Sequence, residues 1–428
     1  MAETVFKNEK TKKVESAYLV GIETSTIDVL QSKEHLLELC ELVDTMGLKI
    51  KGTEVVKLRE SNAKFYIGSG KVEEIGIAAK NNHADCIVVD FDLSPSQQRN
   101  WEETCQLCVI DRQEVILDIF ASRATTKEAV IQVALARMEY SLPRLTRAWT
   151  HLSRQSGAGG IGGRGEGETQ LEVDKRIVQN RIAHLKEELK EVSKHRDTQR
   201  AKREKSSVPI AAIAGYTNVG KSSLLNALSG ASVFVEDKLF ATLDPTTRLV
   251  GLPGNQSVLL TDTVGFIRKL PHNLVEAFKS TLEEVVVSAF IIHVLDVSSN
   301  SVDEQYKTTM ALLKDLKSTE KPLITVFNKI DKLNDPDARA RLRSMHPDCV
   351  FISVKTGEGI DLLLKKIEEL VSRNSQYMQI AVPPDKYDLL AKIYKYCKVV
   401  GTVYEGDVMI LSVRVPAIHK QFFEKYIV

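Results

Sequence analysis

The 428-residue sequence has few cysteines, few aromatic residues and no excess of either charge. Six scattered cysteines argue against a disulfide framework and for reduced thiols in a cytosol. No apolar run approaches the roughly 18 residues that a membrane span needs, and the polar residues 1–13 lack the apolar core of a signal peptide. Lys and Arg number 58 against 57 Asp and Glu, so a nucleic-acid partner would need a local basic cluster. These absences predict a cytoplasmic protein.

One group of thiols has spacing reminiscent of a zinc site, formed by His83, Cys86, Cys105 and Cys108. Cys86 and Cys108, however, each belong to a short apolar run typical of a buried strand. Free cysteine is a common core residue, so the pattern favours packed thiols over a metal site.

Strand and helix signals alternate between residues 17 and 110, and the strands are continuously apolar. Such alternation predicts a parallel α/β sheet, which we assign to an N-terminal domain at residues 1–122. Ser32 is the predicted N-cap of the first helix. Ser94, followed by Pro95, is the predicted N-cap of the third.

Three further domains are predicted, which makes the chain an α/β protein of several domains. Residues 123–207 carry two helical tracts, at 125–140 and 171–205, which indicate a helical hairpin with a glycine-rich loop at its tip. Residues 208–374 alternate strand and helix again and carry, at residues 215–222, two glycines separated by four residues and followed by Lys and Ser, so they form the predicted P-loop GTPase domain. Residues 375–428 predict a small α+β module.

A phosphate loop follows the apolar strand at residues 210–214 and leads into a helix, as this motif requires. Its glycines allow successive amides to converge on phosphate oxygens, and the helix adds its positive end. Lys221 supplies a cation to the β and γ phosphates, and the Ser222 hydroxyl is a predicted ligand of Mg²⁺. The predicted nucleotide-binding residues are Gly215, Tyr216, Thr217, Asn218, Val219, Gly220, Lys221, Ser222 and Ser223.

Two more motifs follow buried strands in the order expected of a guanine-nucleotide site. The first is Asp262, Thr263, Val264 and Gly265, where Asp262 would hold Mg²⁺ through water and the Gly265 amide would sense the γ-phosphate. The second is Asn328, Lys329, Ile330 and Asp331. A carboxylate there accepts hydrogen bonds from the guanine ring N–H and amine, which adenine cannot offer. Ser353, Val354 and Lys355 fit a loop that backs the base.

The first switch is predicted in the loop that contains Phe240, Ala241, Thr242, Leu243 and Asp244. One threonine of this region must complete the Mg²⁺ shell and report the γ-phosphate. Spacing alone leaves Thr242, Thr246 and Thr247 as alternatives.

Phe266 follows Gly265, where many GTPases have a glutamine that orients the attacking water. Because phenylalanine cannot do this, either another group assists hydrolysis or hydrolysis is slow. Asn218 offers one route, because in several GTPases an asparagine at this loop position helps hold a potassium ion, whose charge would stabilise the transition state. We therefore hypothesise potassium-stimulated hydrolysis.

Residues 141–165 form a basic segment without a carboxylate, in which Trp149 and His151 are interleaved with arginines. Arginine and a stackable indole suit structured RNA, although a solvated basic linker is the alternative. The predicted RNA-binding residues are Arg144, Arg147, Trp149, Arg154, Gly159, Gly160, Gly162, Gly163 and Arg164.

The glycine-rich tract at residues 154–172 resembles the signature of the HflX family of ribosome-associated GTPases. The segments at residues 240–245 and 262–267 are similar to that family's switch motifs, and residues 109–121 are similar to the end of its N-terminal domain. The resemblance extends from residue 17 to 373.

The resemblance implies binding to the large ribosomal subunit and its rRNA, with the glycine loop directed toward the peptidyl-transferase centre. It implies that stalled ribosomes are split or rescued and that the ribosome stimulates hydrolysis. It selects Thr242 beside Ser222 as a Mg²⁺ ligand, and the expected catalytic residues are Lys221, Thr242 and Gly265. We expect a monomer and no DNA partner. Two alternatives are an RNA-remodelling ATPase and a nucleotide-gated ribosome-binding module with little turnover.

Overall fold

The computed structural model describes residues 14–25, 27–145, 164–204, 208–230, 239–240, 243, 245–253, 256–268, 279–333, 335–373, 375–406, 408–416 and 420–428. The chain divides into two compact units, residues 1–122 with 133–184, and residues 123–132 with 185–428. The finer division into four domains stays a prediction.

The first unit contains a four-stranded parallel sheet with the strand order β2-β1-β3-β4. Its strands are β1 (Ser16–Glu23), β2 (Lys49–Lys57), β3 (Cys86–Val89) and β4 (Cys108–Asp111). Its helices are α1 (Val29–Met46), α2 (Ser69–Asn81), α3 (Pro95–Cys105) and α4 (Arg112–Arg123). All four residues of β3 are buried, as expected of a central parallel strand. The predicted α/β fold is confirmed.

The helix starts test the predicted caps. Ser94 caps α3 in a reciprocal arrangement with Gln97, and Pro95 is the first helical residue, as predicted. The prediction for α1 was wrong, because Asp28 is its N-cap and accepts a hydrogen bond from the Gln31 amide at 2.8 Å. The helix therefore begins about one turn before the predicted start. Ser32 lies inside it and is buried.

Cys86 and Cys105 are core side chains, whereas Cys40 and Cys108 are partly buried. Cys86 and Cys108 are register partners on adjacent strands, while Cys105 lies on α3. Burial raises the pKa of Cys86 to about 12 and that of Cys105 to about 11, so both remain protonated thiols. The interpretation of Cys86 and Cys108 as members of buried strands is confirmed.

The middle region contains the two helical tracts predicted for it. They are α5 (Lys127–Ser141), which a 3₁₀ turn at Leu142–Arg144 follows, and α6 (Arg164–Glu204). The second helix begins earlier than predicted, before the run of apolar residues that indicated its start.

The second unit contains a six-stranded sheet with the order β10-β9-β8-β5-β7-β6, in which only β6 is antiparallel to its neighbour. Its strands are β5 (Ile210–Gly215), β6 (Thr246–Gly251), β7 (Ser257–Asp262), β8 (Phe290–Asp296), β9 (Leu323–Asn328) and β10 (Val350–Phe351). The helices described here are α7 (Lys221–Ser229), α8 (Lys279–Val287), α9 (Val302–Asp315), α10 (Pro336–Met345) and α11 (Ile360–Arg373). The carboxyl ends of the parallel strands meet at one edge, where ligands bind in such sheets.

The same unit ends in a three-stranded antiparallel sheet, ordered β11-β13-β12. Its elements are β11 (Ser375–Val382), α12 (Tyr387–Tyr396), β12 (Lys398–Glu405), β13 (Val408–Pro416) and the short α13 (Lys420–Phe423). Strand β11 was not predicted, because its alternation of polar and apolar residues comes almost directly after the end of α11. In the part of the chain that the structure describes, no helix has the length and apolarity of a membrane span.

Candidate nucleotide-binding site

The phosphate loop connects β5 to α7, as the sequence predicts. Gly220 precedes the helix with a φ of 93°, which favours glycine. A Cβ atom on Gly220 would lie 2.5 Å from the side-chain nitrogen of Asn328. Only glycine therefore allows the loop to approach the strand end that carries Asn328.

Lys221 is the buried cation of this loop, with 6% of its surface exposed. Its ammonium donates a hydrogen bond to the Tyr216 carbonyl at 2.7 Å, so the side chain folds back over the loop. Burial lowers the pKa of Lys221 to about 8, although the charge of Asp262 opposes this shift. A phosphate group would restore the preference for the charged form.

Two oxygen-bearing side chains meet at the expected magnesium position. The Ser222 hydroxyl, on the first turn of α7, donates to Oδ2 of Asp262 at 2.5 Å. They meet because β5 and β7 are adjacent parallel strands that end at the same edge. A hydroxyl and a carboxylate are hard oxygen donors, which fit Mg²⁺.

The motif at the end of β9 is connected directly to the phosphate loop. The side-chain amide of Asn328 donates to the Val219 carbonyl at 2.9 Å and accepts from the Val354 amide at 3.2 Å. Asn328 thus joins the phosphate loop, β9 and the loop after β10. Asparagine suits this position because its side chain has both a donor and an acceptor.

Lys329 makes a second connection across the same edge. Its ammonium donates to the Asn218 carbonyl at 2.8 Å and lies 2.7 Å from a carboxylate oxygen of Asp296. Asp296 ends β8 and was missed in the sequence analysis. A single acidic residue at the end of an otherwise buried strand was the signal that could have identified it.

Asp331, the predicted reader of guanine, is solvent-exposed and ionised. The Ser353 hydroxyl donates to it at 2.7 Å, and this hydrogen bond is the largest cause that lowers the pKa of Asp331. Two segments predicted separately, at residues 328–331 and 353–355, are therefore joined by hydrogen bonds.

Several predicted site residues have side chains that are mostly buried. Thr263 is fully buried and donates its hydroxyl to the Ile213 carbonyl at 2.8 Å. Less than a tenth of the surface is likewise exposed at Tyr216, Thr217, Val219, Lys221, Phe240, Leu243, Asp262, Val264, Asn328, Ile330 and Ser353.

Phe266 is 2% exposed, and its main chain is bonded to the phosphate loop. Its amide donates to the Gly215 carbonyl at 3.0 Å, and its carbonyl accepts from the Thr217 amide at 2.8 Å. The aromatic ring therefore belongs to the core. To orient water, this position would need an exposed glutamine instead.

The first switch is described only in part. Ala241, Thr242 and Asp244 lie outside the described residues. Thr246 and Thr247, the alternatives to Thr242, begin strand β6, and the Thr247 hydroxyl lies 2.9 Å from that of Thr261. The Thr247 hydroxyl is thus hydrogen-bonded to the neighbouring strand β7.

Of the predicted RNA-binding residues, Arg144 has a described side chain, and it is not free. Its guanidinium donates to the Leu93 carbonyl at 2.7 Å and to the Gln98 side chain at 3.0 Å, and it lies 3.5 Å from an Asp111 carboxylate oxygen. It also covers the ring of Tyr140, with 3.6 Å between guanidinium carbon and ring centre. These contacts give the Arg144 side chain a role in holding the fold together. Its prediction as an RNA contact was therefore wrong.

For the remaining predicted RNA-binding residues, the side chains lie outside the part of the chain that the structure describes. Arg164 begins α6, but its side chain is not among those described. The other members lie outside the described residues; they are Arg147, Trp149, Arg154, Gly159, Gly160, Gly162 and Gly163.

Models of known protein families match four consecutive segments of the chain. They are described as "GTP-binding GTPase N-terminal" at residues 33–121, "GTP-binding GTPase Middle Region" at 123–203, "50S ribosome-binding GTPase" at 210–329 and "HflX C-terminal domain" at 340–421.

The sheet and the nucleotide site define a P-loop GTPase. GTPase HflX of Akkermansia muciniphila is 45% identical over 429 residues, covering 98% of each chain, and GTPase HflX of Escherichia coli is 40% identical over 387 residues, covering 90% of each. The chain belongs to the HflX family of GTPases. A solved structure of a GTP-binding protein from Sulfolobus solfataricus in complex with GDP is 26% identical, with a TM-score of 0.44, and covers 84% of this chain and 99% of that one.

Proposed function

We propose that the protein binds the large ribosomal subunit and splits or rescues stalled ribosomes in a cycle timed by GTP hydrolysis. The observation that carries the nucleotide part is the Asn328 connection, which joins phosphate loop and base-reading loop into one guanine-nucleotide site. A family described as ribosome-binding matches the domain that contains this site. Contact with rRNA is assigned to Arg147, Trp149, Arg154 and Arg164 and the glycines between them.

In the proposed site, phosphates lie on the loop amides and beside Lys221. Ser222 and Thr242 hold Mg²⁺, with Asp262 acting through water, and the ion shields the phosphate charge. The Gly265 amide reports the γ-phosphate, and Asp331 reads guanine. Asn218, whose side chain is exposed and whose φ is 60°, is the proposed potassium ligand.

The deciding experiment is phosphate release from GTP by the full chain, alone and with isolated large or small ribosomal subunits. We expect strong stimulation by the large subunit only, followed by subunit dissociation when intact ribosomes are supplied. Tight GTP binding without stimulation would favour a nucleotide-gated binding module and overturn the proposed cycle.

Two controls separate the parts of this proposal. The Asp331→Asn variant should lose GTP-dependent turnover, whereas undiminished ATP turnover would favour an RNA-remodelling ATPase. Replacing potassium with sodium should slow hydrolysis in the wild type. Equal rates in the two salts would rule out the role of Asn218 without affecting the ribosome proposal.

A further inference from the structure

Thr217, the third residue of the phosphate loop, has a buried hydroxyl that the fold does not use. The residue is 5% exposed, and its main-chain amide donates to the Phe266 carbonyl at 2.8 Å. The side-chain oxygen is buried and has no hydrogen-bond partner among the residues that the structure describes. Buried hydroxyl groups are normally paired, so an unpaired one within a binding loop indicates a partner supplied by the ligand.

The methyl group of Thr217 lies beside Gly265, whose amide is the proposed contact of the γ-phosphate. A Cβ atom placed on Gly265 would be 2.7 Å from the Thr217 methyl carbon and 3.0 Å from the Lys221 ammonium nitrogen. Both side chains therefore border the same small space above Gly265. Lys221 is the cation for the terminal phosphates, so the Thr217 side chain is next to the reacting end of GTP.

We propose that the Thr217 hydroxyl positions the attacking water, a task that Phe266 cannot perform. A hydroxyl has one donor and two acceptor sites. Thr217 donates to a γ-phosphate oxygen and accepts a hydrogen bond from the water that attacks the γ-phosphorus. This inference rests on the nucleotide site described under the proposed function, but not on binding to the ribosome.

The bond changes balance without consuming Thr217. The water oxygen bonds to the γ-phosphorus, and the bond to the β–γ bridging oxygen breaks with its electron pair on GDP. The proton that the water loses passes to the phosphate, so the products are GDP and inorganic phosphate. Thr217 contributes orientation of the water, which is a large part of catalysis in phosphoryl transfer.

Three substitutions separate this role from simple packing. Thr217→Val keeps the branched shape but removes the hydroxyl, Thr217→Ser keeps the hydroxyl but removes the methyl group, and Thr217→Ala removes both. If the residue only packs against Gly265, Thr217→Val should hydrolyse GTP like the wild type, and Thr217→Ser should resemble Thr217→Ala. If the hydroxyl positions water, Thr217→Ser should stay active and Thr217→Val should be impaired.

The test is single-turnover hydrolysis of GTP by the full chain without ribosomes, together with the affinity for a non-hydrolysable GTP analogue. We expect Thr217→Val to lower the hydrolysis rate about 10- to 100-fold with little change in affinity, and Thr217→Ser to stay within about threefold of the wild type. If Val does not fold, Ala against Ser gives the same comparison.

Wild-type turnover in Thr217→Val, or an equal loss of affinity and rate, would overturn the proposal. A wild type that hydrolyses GTP but is not stimulated by the large subunit would contradict only the ribosome part of the proposed function. The two failures are therefore distinguishable.

Discussion

The side-chain amide of Asn328 holds the carbonyl of Val219, 109 positions earlier in the chain, at 2.9 Å. The bond joins the end of β9 to the phosphate loop after β5, although β8 lies between these strands. The same side chain accepts a hydrogen bond from the Val354 amide, in the loop after β10. One buried side chain thus sets the separation between the phosphate-binding and base-binding parts of the site.

Asn328→Ala should weaken binding of GDP and GTP alike. The substitution leaves the Val219 carbonyl and the Val354 amide without their partner, and each such loss costs about 1–3 kcal/mol. We expect affinity to fall by about tenfold or more in titrations with a fluorescent nucleotide. The control is Lys332→Ala, an exposed position in the following turn. A loss confined to GTP would contradict a connection that acts on the whole nucleotide.

Asp331→Asn should change the preferred base from guanine to xanthine. The carboxylate of Asp331 accepts hydrogen bonds from the guanine amine, whereas an amide can donate to the oxygen that xanthine has there. We expect GTP affinity to fall about 100-fold or more and XTP affinity to rise. Competition between the two nucleotides measures this directly. Unchanged discrimination would mean that another residue reads the base.

The order of the motifs could be read from the sequence because each follows a short apolar strand, and parallel strands end at a common edge. The structure places Lys221, Asp262 and Asn328 at that edge, and their contacts with a nucleotide stay a prediction. The partners across the edge could not be predicted in this way. The bond of Lys329 to Asp296 depends on the strand order, which puts β8 beside β9.

The assignment of Arg144 went wrong for a related reason. A basic run without carboxylates appears unpaired in sequence, yet Asp111, which pairs with Arg144, is supplied by a strand 33 positions earlier. The ring of Tyr140 and the Leu93 carbonyl complete its surroundings. Local charge patterns cannot reveal such distant partners.

Arg144 and Arg147 should therefore respond differently to substitution by alanine. Arg144→Ala removes one partner of a buried pair and should lower the free energy of unfolding by about 3 kcal/mol. Arg147→Ala should leave stability unchanged and weaken binding to the large ribosomal subunit, more strongly at low salt. Thermal melts and pelleting with ribosomal subunits make the comparison. A stability loss in Arg147→Ala, or none in Arg144→Ala, would contradict these assignments.

His293 should make the second unit sensitive to acid. It lies on β8, is fully buried, and neither ring nitrogen has a hydrogen-bond partner among the described residues. Burial, with a smaller contribution from the charge of His346, lowers the pKa of His293 to about 3. The neutral imidazole packs near the ring of Tyr306, with 5.3 Å between ring centres.

The sign of the effect follows from the lowered pKa. The unfolded chain binds a proton on this histidine below a pH of about 6.5, and the folded chain does so only near a pH of about 3. The contribution of His293 to the free energy of unfolding is therefore complete above the pKa of the unfolded chain. It is lost as the pH falls toward the pKa of the folded chain, by about 2 kcal/mol at a pH of about 5. His293→Phe removes the titrating group and should flatten this dependence in denaturant melts of the full chain. Equal acid sensitivity in the variant would mean that other buried groups take up the protons that unfold the sheet.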